Sequence, residues 1–424
     1  MTIVTHRGLA PTRQVLDNGA VIIAKESHAT PAVTISAAIQ AGSVFESDSQ
    51  LGLAHFLSRV IDRGTTNRSA EEIAVDLDFR GVTVSVHTTR HVQIVSCTCL
   101  VEDFVPILQT VGEIVTAPSI PPEEVDKRRV EVMTAIRQDE DNPAVVAVER
   151  LFTLLYPNGH PYGRPSKGSL ETVERIDRRA LQKFHEERFA PSVLSLVIVG
   201  DVTSSEAVDA AAKVFGDWRA APPARVTLAS PPSGATRRQS VITMMNKSQA
   251  DIAYGFTTIA RSDPRYDAFT LMNNALGQYA LGGRLGESIR ERQGMAYYVF
   301  SSFDGNVIES PLTVRAGVNP ANVERTIASI DEEIARMATE GITAEELADC
   351  KRFLIGSMPR MLETNAGIAR FLQTAEFFGL GADYDLRLPG LLDAVSLEQV
   401  NAAASTLSPD SAAVVVAGPY RSSA

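Results

Sequence analysis

Ala190-Pro-Ser-Val-Leu-Ser-Leu-Val-Ile-Val-Gly-Asp201 sets an apolar run rich in Val, Leu and Ile between a proline and a glycine. Such a run, punctuated that way, reads as a buried strand. Near the other end of the chain the pattern returns as Ser408-Pro-Asp-Ser-Ala-Ala-Val-Val-Val-Ala-Gly418, where Pro409 answers Pro191 and Gly418 answers Gly200 at one constant offset. A second echo, in the same order and at nearly the same offset, joins Pro122-Glu-Glu-Val125 to Ala344-Glu-Glu-Leu347. Two echoes in the same order and at similar spacing indicate an internal duplication. The expected fold is α+β: two homologous α/β domains, each an antiparallel-rich sheet with helices on one face.

Working outward from these strands, Pro222, Pro223, Pro231 and Pro232, set among Ala, Ser and Gly234, mark a linker. The expected boundaries are 1–219 for the first domain, 220–236 for the Pro/Ala/Ser-rich linker and 237–424 for the second. Within the first domain, Asn18-Gly19 is a turn leading into Ala20–Ala24, and Ala32–Ala41 reads as a further strand. Leu53, Ala54, Leu57, Val60 and Ile61 repeat at helical spacing and predict an amphipathic helix over Leu51–Asp62. Val82, Val84 and Val86 alternate, so Gly81–Leu100 reads as a strand. Val105–Thr116 and Pro122–Asp141 read as helices, the second opening on a proline that a first helical turn tolerates.

Composition narrows the function. The 424 residues are 44% hydrophobic and 21% charged, enough for two full cores. A net charge of −11 argues against a nucleic-acid surface. No apolar run is long enough to span a membrane, and Met1–Leu16 lacks the h-region and small-residue site of a leader. Cys97, Cys99 and Cys350 form no C-x-x-C pair and no disulfide framework, so a cytoplasmic, reducing location is expected.

Gly52-Leu-Ala-His-Phe-Leu-Ser-Arg59, followed by Arg63-Gly-Thr-Thr66, resembles the zinc-site helix of the pitrilysin, insulinase and mitochondrial-processing-peptidase family. There the pattern is G-x-A-H-F-L-E-H, then a short apolar stretch and G-T. Positions i and i+4 of a helix share a face, so two imidazoles converge on one zinc and the intervening Glu activates its water. In this chain His55 remains, Ser58 stands where the Glu belongs and Arg59 where the second His belongs. The family's third ligand, a Glu opening an E-I-x-x-x-E-D-x-P-like stretch, corresponds to Ala135 in Ala135-Ile-Arg-Gln-Asp-Glu-Asp-Asn-Pro143. Arg59 is a permanent cation where a dication would have to bind. No metal is therefore expected on this chain, and His55 reads as a hydrogen-bonded cleft residue. A substitute set from His87, His91 and Glu131 is not expected either, because a solvated His pair and a surface Glu account for them.

The second half is better preserved. Leu281-Gly-Gly-Arg-Leu-Gly-Glu-Ser-Ile-Arg-Glu-Arg-Gln-Gly-Met-Ala-Tyr297 resembles the family's L-G-G-x-x-S-R-L-F-x-x-I-R-E-x-x-G-L-A-Y segment. The resemblance makes Arg290 and Tyr297 the catalytic pair of this half: the guanidinium grips the substrate backbone, and the phenol donates to the carbonyl under attack. It extends from Leu16-Asp-Asn-Gly19 through Gly159-His-Pro-Tyr-Gly163 to Gly200-Asp201 and on through the second half. The long Gly-rich loop of the non-catalytic mitochondrial subunit is not evident, since Gly277–Gly286 carries only scattered glycines. That favours a bacterial-type heteromeric member.

The resemblance implies one half of a peptidase clamshell, in which one unit's zinc works with the Arg/Tyr pair of another. The expected function is that of a non-metal-binding subunit of a heterodimeric zinc metallopeptidase, inactive alone. Its expected partners are a zinc-bearing homologous subunit and a flexible peptide substrate, with no nucleic acid and no membrane. The competing expectation is an inert structural or peptide-binding homologue, like the core subunits of respiratory complex III.

Overall fold

The apolar runs pair into two sheets. In the first the strand order is β1-β2-β6-β3-β5-β4, with β1 Thr12–Val15, β2 Val21–Glu26, β3 Ala32–Ile39, β4 Ser85–Thr88, β5 Gln93–Leu100 and β6 Leu194–Gly200. In the second it is β7-β11-β8-β10-β9, with β7 Arg238–Thr243, β8 Ala250–Thr257, β9 Ala296–Phe303, β10 Pro311–Val318 and β11 Ala413–Gly418. This computed structural model describes residues 8–232, 234, 236–278 and 283–421. Met1–Arg7 of the N-terminal reading, Ser233 and Ala235 of the linker, and Leu281 and Gly282 of the glycine-rich stretch lie outside the described residues.

The duplication is explicit in the topology. β6 inserts parallel to β2 and antiparallel to β3, and β11 inserts parallel to β7 and antiparallel to β8. Each inserted strand follows a 3-10 turn that opens on the proline of the echo, Pro191 or Pro409. Each ends on a glycine with positive φ, Gly200 at 154° and Gly418 at 140°. A Cβ on Gly200 would lie 2.2 Å from the Ala32 carbonyl oxygen, so the echo preserves a backbone position that only glycine fills without strain.

One expected strand is two. The chain from Gly81 to Leu100 reverses between β4 and β5, which pair antiparallel from Ser85↔Ser96 to Thr88↔Gln93. The Thr89 hydroxyl accepts from the His91 and Val92 amides at 3.2 and 3.0 Å and holds this turn. Hydroxyl turns of that kind leave little trace in hydrophobic alternation.

The helices, in chain order among the described residues, are α1 Leu53–Val60, α2 Ala70–Phe79, α3 Phe104–Thr116, α4 Pro122–Glu140, α5 Pro143–Leu155, α6 Leu170–Arg175, α7 Arg178–Arg188, α8 Ser204–Phe215, α9 Tyr266–Asn273, α10 Val323–Glu340, α11 Ala344–Met361, α12 Asn365–Phe377, α13 Tyr384–Ala394 and α14 Leu397–Ala404. Contacts divide the chain into two compact units. The first takes Met1–Ile136, Pro165–Thr227 and Pro359–Leu386; the second takes Arg137–Arg164, Leu228–Met358 and Arg387–Ala424.

In the first unit Ile22, Ile35, Leu196 and Ile198 share one core with the apolar sides of α1, α3, α7 and α8. The alternate residues of the central strands, Thr34, Ser36, Ala38, Val197 and Val199, are buried as well but belong to the opposite face. α12 packs there, across β3 and β6. Its Gln373 amide donates to the carbonyls of Ser36 at 2.8 Å and Ser195 at 2.9 Å and accepts from the Ser195 hydroxyl at 2.7 Å.

The second unit repeats the scheme. Ile252, Tyr254, Val314, Val414 and Val416 join α9, α10 and α14 in one core. α5 packs across β8 and β11, whose inward small residues include Ala253, Gly255, Ala413 and Ala417. A Cβ on Gly255 would meet Leu151 and Leu155 of α5 at 3.2 and 3.3 Å. Thus α5, encoded in the first half, closes the second sheet, and α12, its counterpart in the second half, closes the first.

Candidate functional site

α1 is built to present a fixed face. Gly52 precedes it with φ of 90°, and a Cβ there would lie 2.3 Å from the Lys167 carbonyl oxygen. No residue within α1 caps its amides. The buried carboxylate of Glu46 does so, accepting from Gly52 N–H at 2.9 Å and Ala54 N–H at 2.7 Å, where the positive helix end favours an anion. Gln93 of β5 donates to the Ala54 carbonyl, and Phe56, Leu57 and Val60 enter the core. Arg129 of α4 lies over the Phe56 ring at 5.3 Å from its centre.

On this scaffold the zinc positions do not assemble a ligand set. His55 is half-buried. Ser58 is only 3% exposed, and its hydroxyl donates at 2.6 Å to the His55 carbonyl, a local back-bond that occupies it. The Arg59 side chain reaches solvent. Ala135 sits half-buried on α4 with no donor atom to offer.

Glu131, one turn before Ala135, is exposed and committed elsewhere: both its oxygens accept from Arg128, at 2.6 and 2.7 Å. That bonding holds the Glu131 carboxyl below its ordinary range, and the charge of Arg59 adds to the effect. Burial pushes the Asp62 carboxyl up, against the pull of Arg63, Arg128 and Arg59. His87 lies exposed on β4 opposite Ile94. His91 lies in the following turn, its ring 5.6 Å from Phe377; burial and then Arg90 bring its pKa down to about 4. Among the described residues no group of three or more His, Cys, Asp or Glu side chains is placed to hold a metal ion. One imidazole, a back-bonded hydroxyl and a cation do not fit zinc, whose catalytic sites take three protein ligands.

The second unit displays the other pair. A π-helical turn over Gly286–Arg292 carries Arg290, exposed, with Nε 3.7 Å from a Glu291 oxygen. The turn is anchored beneath: Leu285 and Ile289 enter the core, and Arg284 binds both oxygens of Glu346 at 2.7 and 2.9 Å. Gly294, with φ of 60°, and the bond from Met295 N–H to the Ile289 carbonyl at 3.1 Å turn the chain directly into β9.

Tyr297 follows, and its placement departs from plain strand alternation. Val318 pairs with Ala296 and Gly317 with Tyr298, which leaves Tyr297 as the extra residue of a β-bulge, 82% exposed. Bulges re-aim single side chains and cluster near active sites. Gly317 makes the room, since a Cβ there would lie 2.4 Å from the Tyr298 ring. Tyr298 itself is tied inward by a short bond to the buried Asp251 carboxylate. Neither the bulge nor the Glu46 cap was apparent in the sequence pattern. The adjacent Tyr297 and Tyr298, with Gly317 in the strand that pairs with them, are the signal that could have pointed to the former.

Comparison with known proteins agrees with the fold. Residues 21–165 match the family described as Insulinase (Peptidase family M16), and residues 175–354 match the Peptidase M16 inactive domain. The chain is 27% identical to an uncharacterized zinc protease of Mycobacterium leprae, over 98% of this chain and 93% of that one. It is 26% identical to an uncharacterized zinc protease of Bacillus subtilis, over 96% and 98%. A solved peptidase M16 inactive domain from Pseudomonas fluorescens superposes with a TM-score of 0.88 at 25% identity, covering 96% of this chain and 98% of that chain. A Helicobacter pylori protease shares the fold, with a TM-score of 0.87 at 19% identity, covering 96% and 99%.

The duplicated α+β units and the zinc-helix frame therefore define an M16-type peptidase scaffold. This chain belongs to the M16 (insulinase) peptidase family. No described helix is long and apolar enough to cross a membrane.

Proposed function

We propose that this chain is the non-metal-binding subunit of a heterodimeric zinc metallopeptidase, contributing Arg290 and Tyr297 to peptide cleavage at a site whose zinc a homologous partner holds. The observation that carries the reading is the contrast between the two motifs. The zinc positions have decayed to Ser58, Arg59 and Ala135, whereas Tyr297 is held 82% exposed on a bulge and Arg290 is exposed on the turn that precedes that strand. A large aromatic ring kept in solvent by a bulge, a dedicated glycine and an anchored neighbour is poorly explained by stability alone.

In this reading the Arg290 fork binds backbone carbonyls of an extended peptide, and the Tyr297 hydroxyl donates to the oxygen on which negative charge develops. The chain alone has no hydrolytic activity. The three cysteines, all free and buried, suit the cytoplasmic location included in this proposal.

The test uses the complex reconstituted with a zinc-bearing homologue and a flexible peptide. Tyr297→Phe is expected to assemble normally and to lower kcat by roughly 10²–10³-fold, the range for losing one oxyanion donor. Arg290→Ala is expected to raise KM as well. If both variants assemble and cleave at the wild-type rate, the pair is architectural, and the inert binding-protein reading takes its place.

A further inference from the structure

Tyr297 is the extra residue of its bulge, so its place depends on the residues that flank it. Ala296 pairs with Val318 and is buried, and Tyr298 pairs with Gly317. Gly317 pairs in turn with Asp251 of β8, which sets Asp251, Gly317 and Tyr298 in one row across three strands. Side chains in such a row share a face of the sheet. A Cβ on Gly317 would meet both the Tyr298 ring and the Gln249 amide. The ring thus lies over the glycine, and its hydroxyl donates to the Asp251 carboxylate. Asp251 is 5% exposed, and the Gln249 amide also donates to it, at 3.4 and 3.5 Å. Among the described residues, then, the partners of this buried carboxylate are neutral.

Burying a carboxylate without a counter-charge costs stability, and buried polar groups of this kind serve to fix one arrangement among several. Here the competing arrangement is one residue away. Moving the bulge by one position would set Tyr297 over Gly317 and turn Tyr298 outward, with Ala296↔Val318 and Val299↔Ala316 left as they are. That move breaks the bond from Tyr298 to Asp251. We infer that Asp251, acting through Tyr298, is a positioning residue that keeps the Tyr297 hydroxyl presented, an inference that rests on the catalytic role proposed above for Tyr297. Once the Tyr298 hydroxyl is removed, the shifted bulge is the one that satisfies Asp251. The Tyr297 hydroxyl then takes the vacant acceptor and is withdrawn from the substrate.

Two readouts test this, with thermal melts to establish that the variants are folded. In the isolated chain, tetranitromethane nitrates exposed phenols and mass spectrometry locates the label. Wild type is expected to react at residue 297, and Tyr298→Phe to react there several-fold more slowly. In the complex reconstituted with a zinc-bearing homologue and a flexible peptide, Tyr298→Phe is expected to lower kcat by roughly tenfold, the factor that one net hydrogen bond sets, with KM unchanged. Added to Tyr297→Phe it is expected to cost nothing further, because the hydroxyl it displaces is already gone. Asp251→Asn, which keeps an acceptor for the phenol, is expected to retain the wild-type kcat, whereas Asp251→Val lowers it. Unchanged nitration at residue 297, additive losses in the double variant, an Asp251→Asn as impaired as Asp251→Val, or a Tyr298→Phe at the wild-type rate beside an impaired Tyr297→Phe each overturn the inference and leave the proposed function standing. A Tyr297→Phe that cleaves at the wild-type rate removes the proposed catalytic role and this inference with it.

Discussion

Gln373 offers the sharpest probe of how the first sheet is closed. It is 7% exposed on α12 and makes three hydrogen bonds, two to strand carbonyls and one from the Ser195 hydroxyl. Gln373→Leu keeps most of the volume and deletes every bond, so the loss is nearly all polar. Each such bond contributes about 1 kcal/mol net, and the half-buried Ser195 hydroxyl left behind adds a desolvation cost, for about 2–4 kcal/mol in total. For a unit of this size each kcal/mol moves Tm by about 2–4 °C, giving a fall of about 4–16 °C. Calorimetry reads the shift, and amide exchange should show it concentrated in β3 and β6. A variant melting within about a degree of wild type would refute the reasoning, since α12 would then be held by shape alone.

Two further outcomes follow from the first unit. His91 titrates from an ordinary 6.5 down to about 4 in the folded chain, so in that window the unfolded chain takes up a proton that the native one refuses, and stability falls as pH drops from about 6.5 to about 4. His91→Phe, which keeps a ring against Phe377, should flatten that part of the stability-versus-pH curve, and an unchanged slope would count against the assignment. The purified chain should retain no stoichiometric zinc after dialysis; Ser58→Glu with Arg59→His should give a weak site, and adding Ala135→Glu should raise affinity markedly. One zinc per wild-type chain, or no gain from the triple change, would show that α1 and α4 do not meet in the family's frame.

Much of this was legible in the residues. The Pro-to-Gly echo located β6 and β11 because a strand buried on both faces needs a continuous apolar run, and its closing glycine fills a backbone position that rejects a side chain. The helical repeat at Leu53, Ala54, Leu57 and Val60 gave α1 its place, since those residues are among its buried ones. What stayed hidden depended on distant partners. Glu46 looks like any loop carboxylate until the amides of α1 are set against it. Tyr297 looks like an ordinary strand residue until the register with β10 slips at Gly317. The turn inside Gly81–Leu100 rests on hydroxyl bonds, which periodicity does not see.

The exchange of α5 and α12 was equally hidden, because no local pattern says which sheet an amphipathic helix will cover. It has a consequence for the boundary proposed at 220–236. If that segment is only a covalent tether, a chain cut within it should remain one particle, since each fragment lends a helix to the unit that the other mainly builds. Expressed alone, the N-terminal fragment would lack α12 and expose Ile23, Ala38, Val197 and Val199, all buried in the intact chain. The C-terminal fragment would lack α5 and expose the small-residue face around Gly255 and Ala417. Faces of that kind drive self-association when unpartnered. The expectation is that separately expressed fragments aggregate or bind hydrophobic dye, whereas co-expressed fragments purify together and melt as one cooperative transition close to the intact chain. Two fragments that are each monomeric, cooperative and indifferent to the other would show that the exchanged helices contribute little, and that the halves are autonomous domains after all.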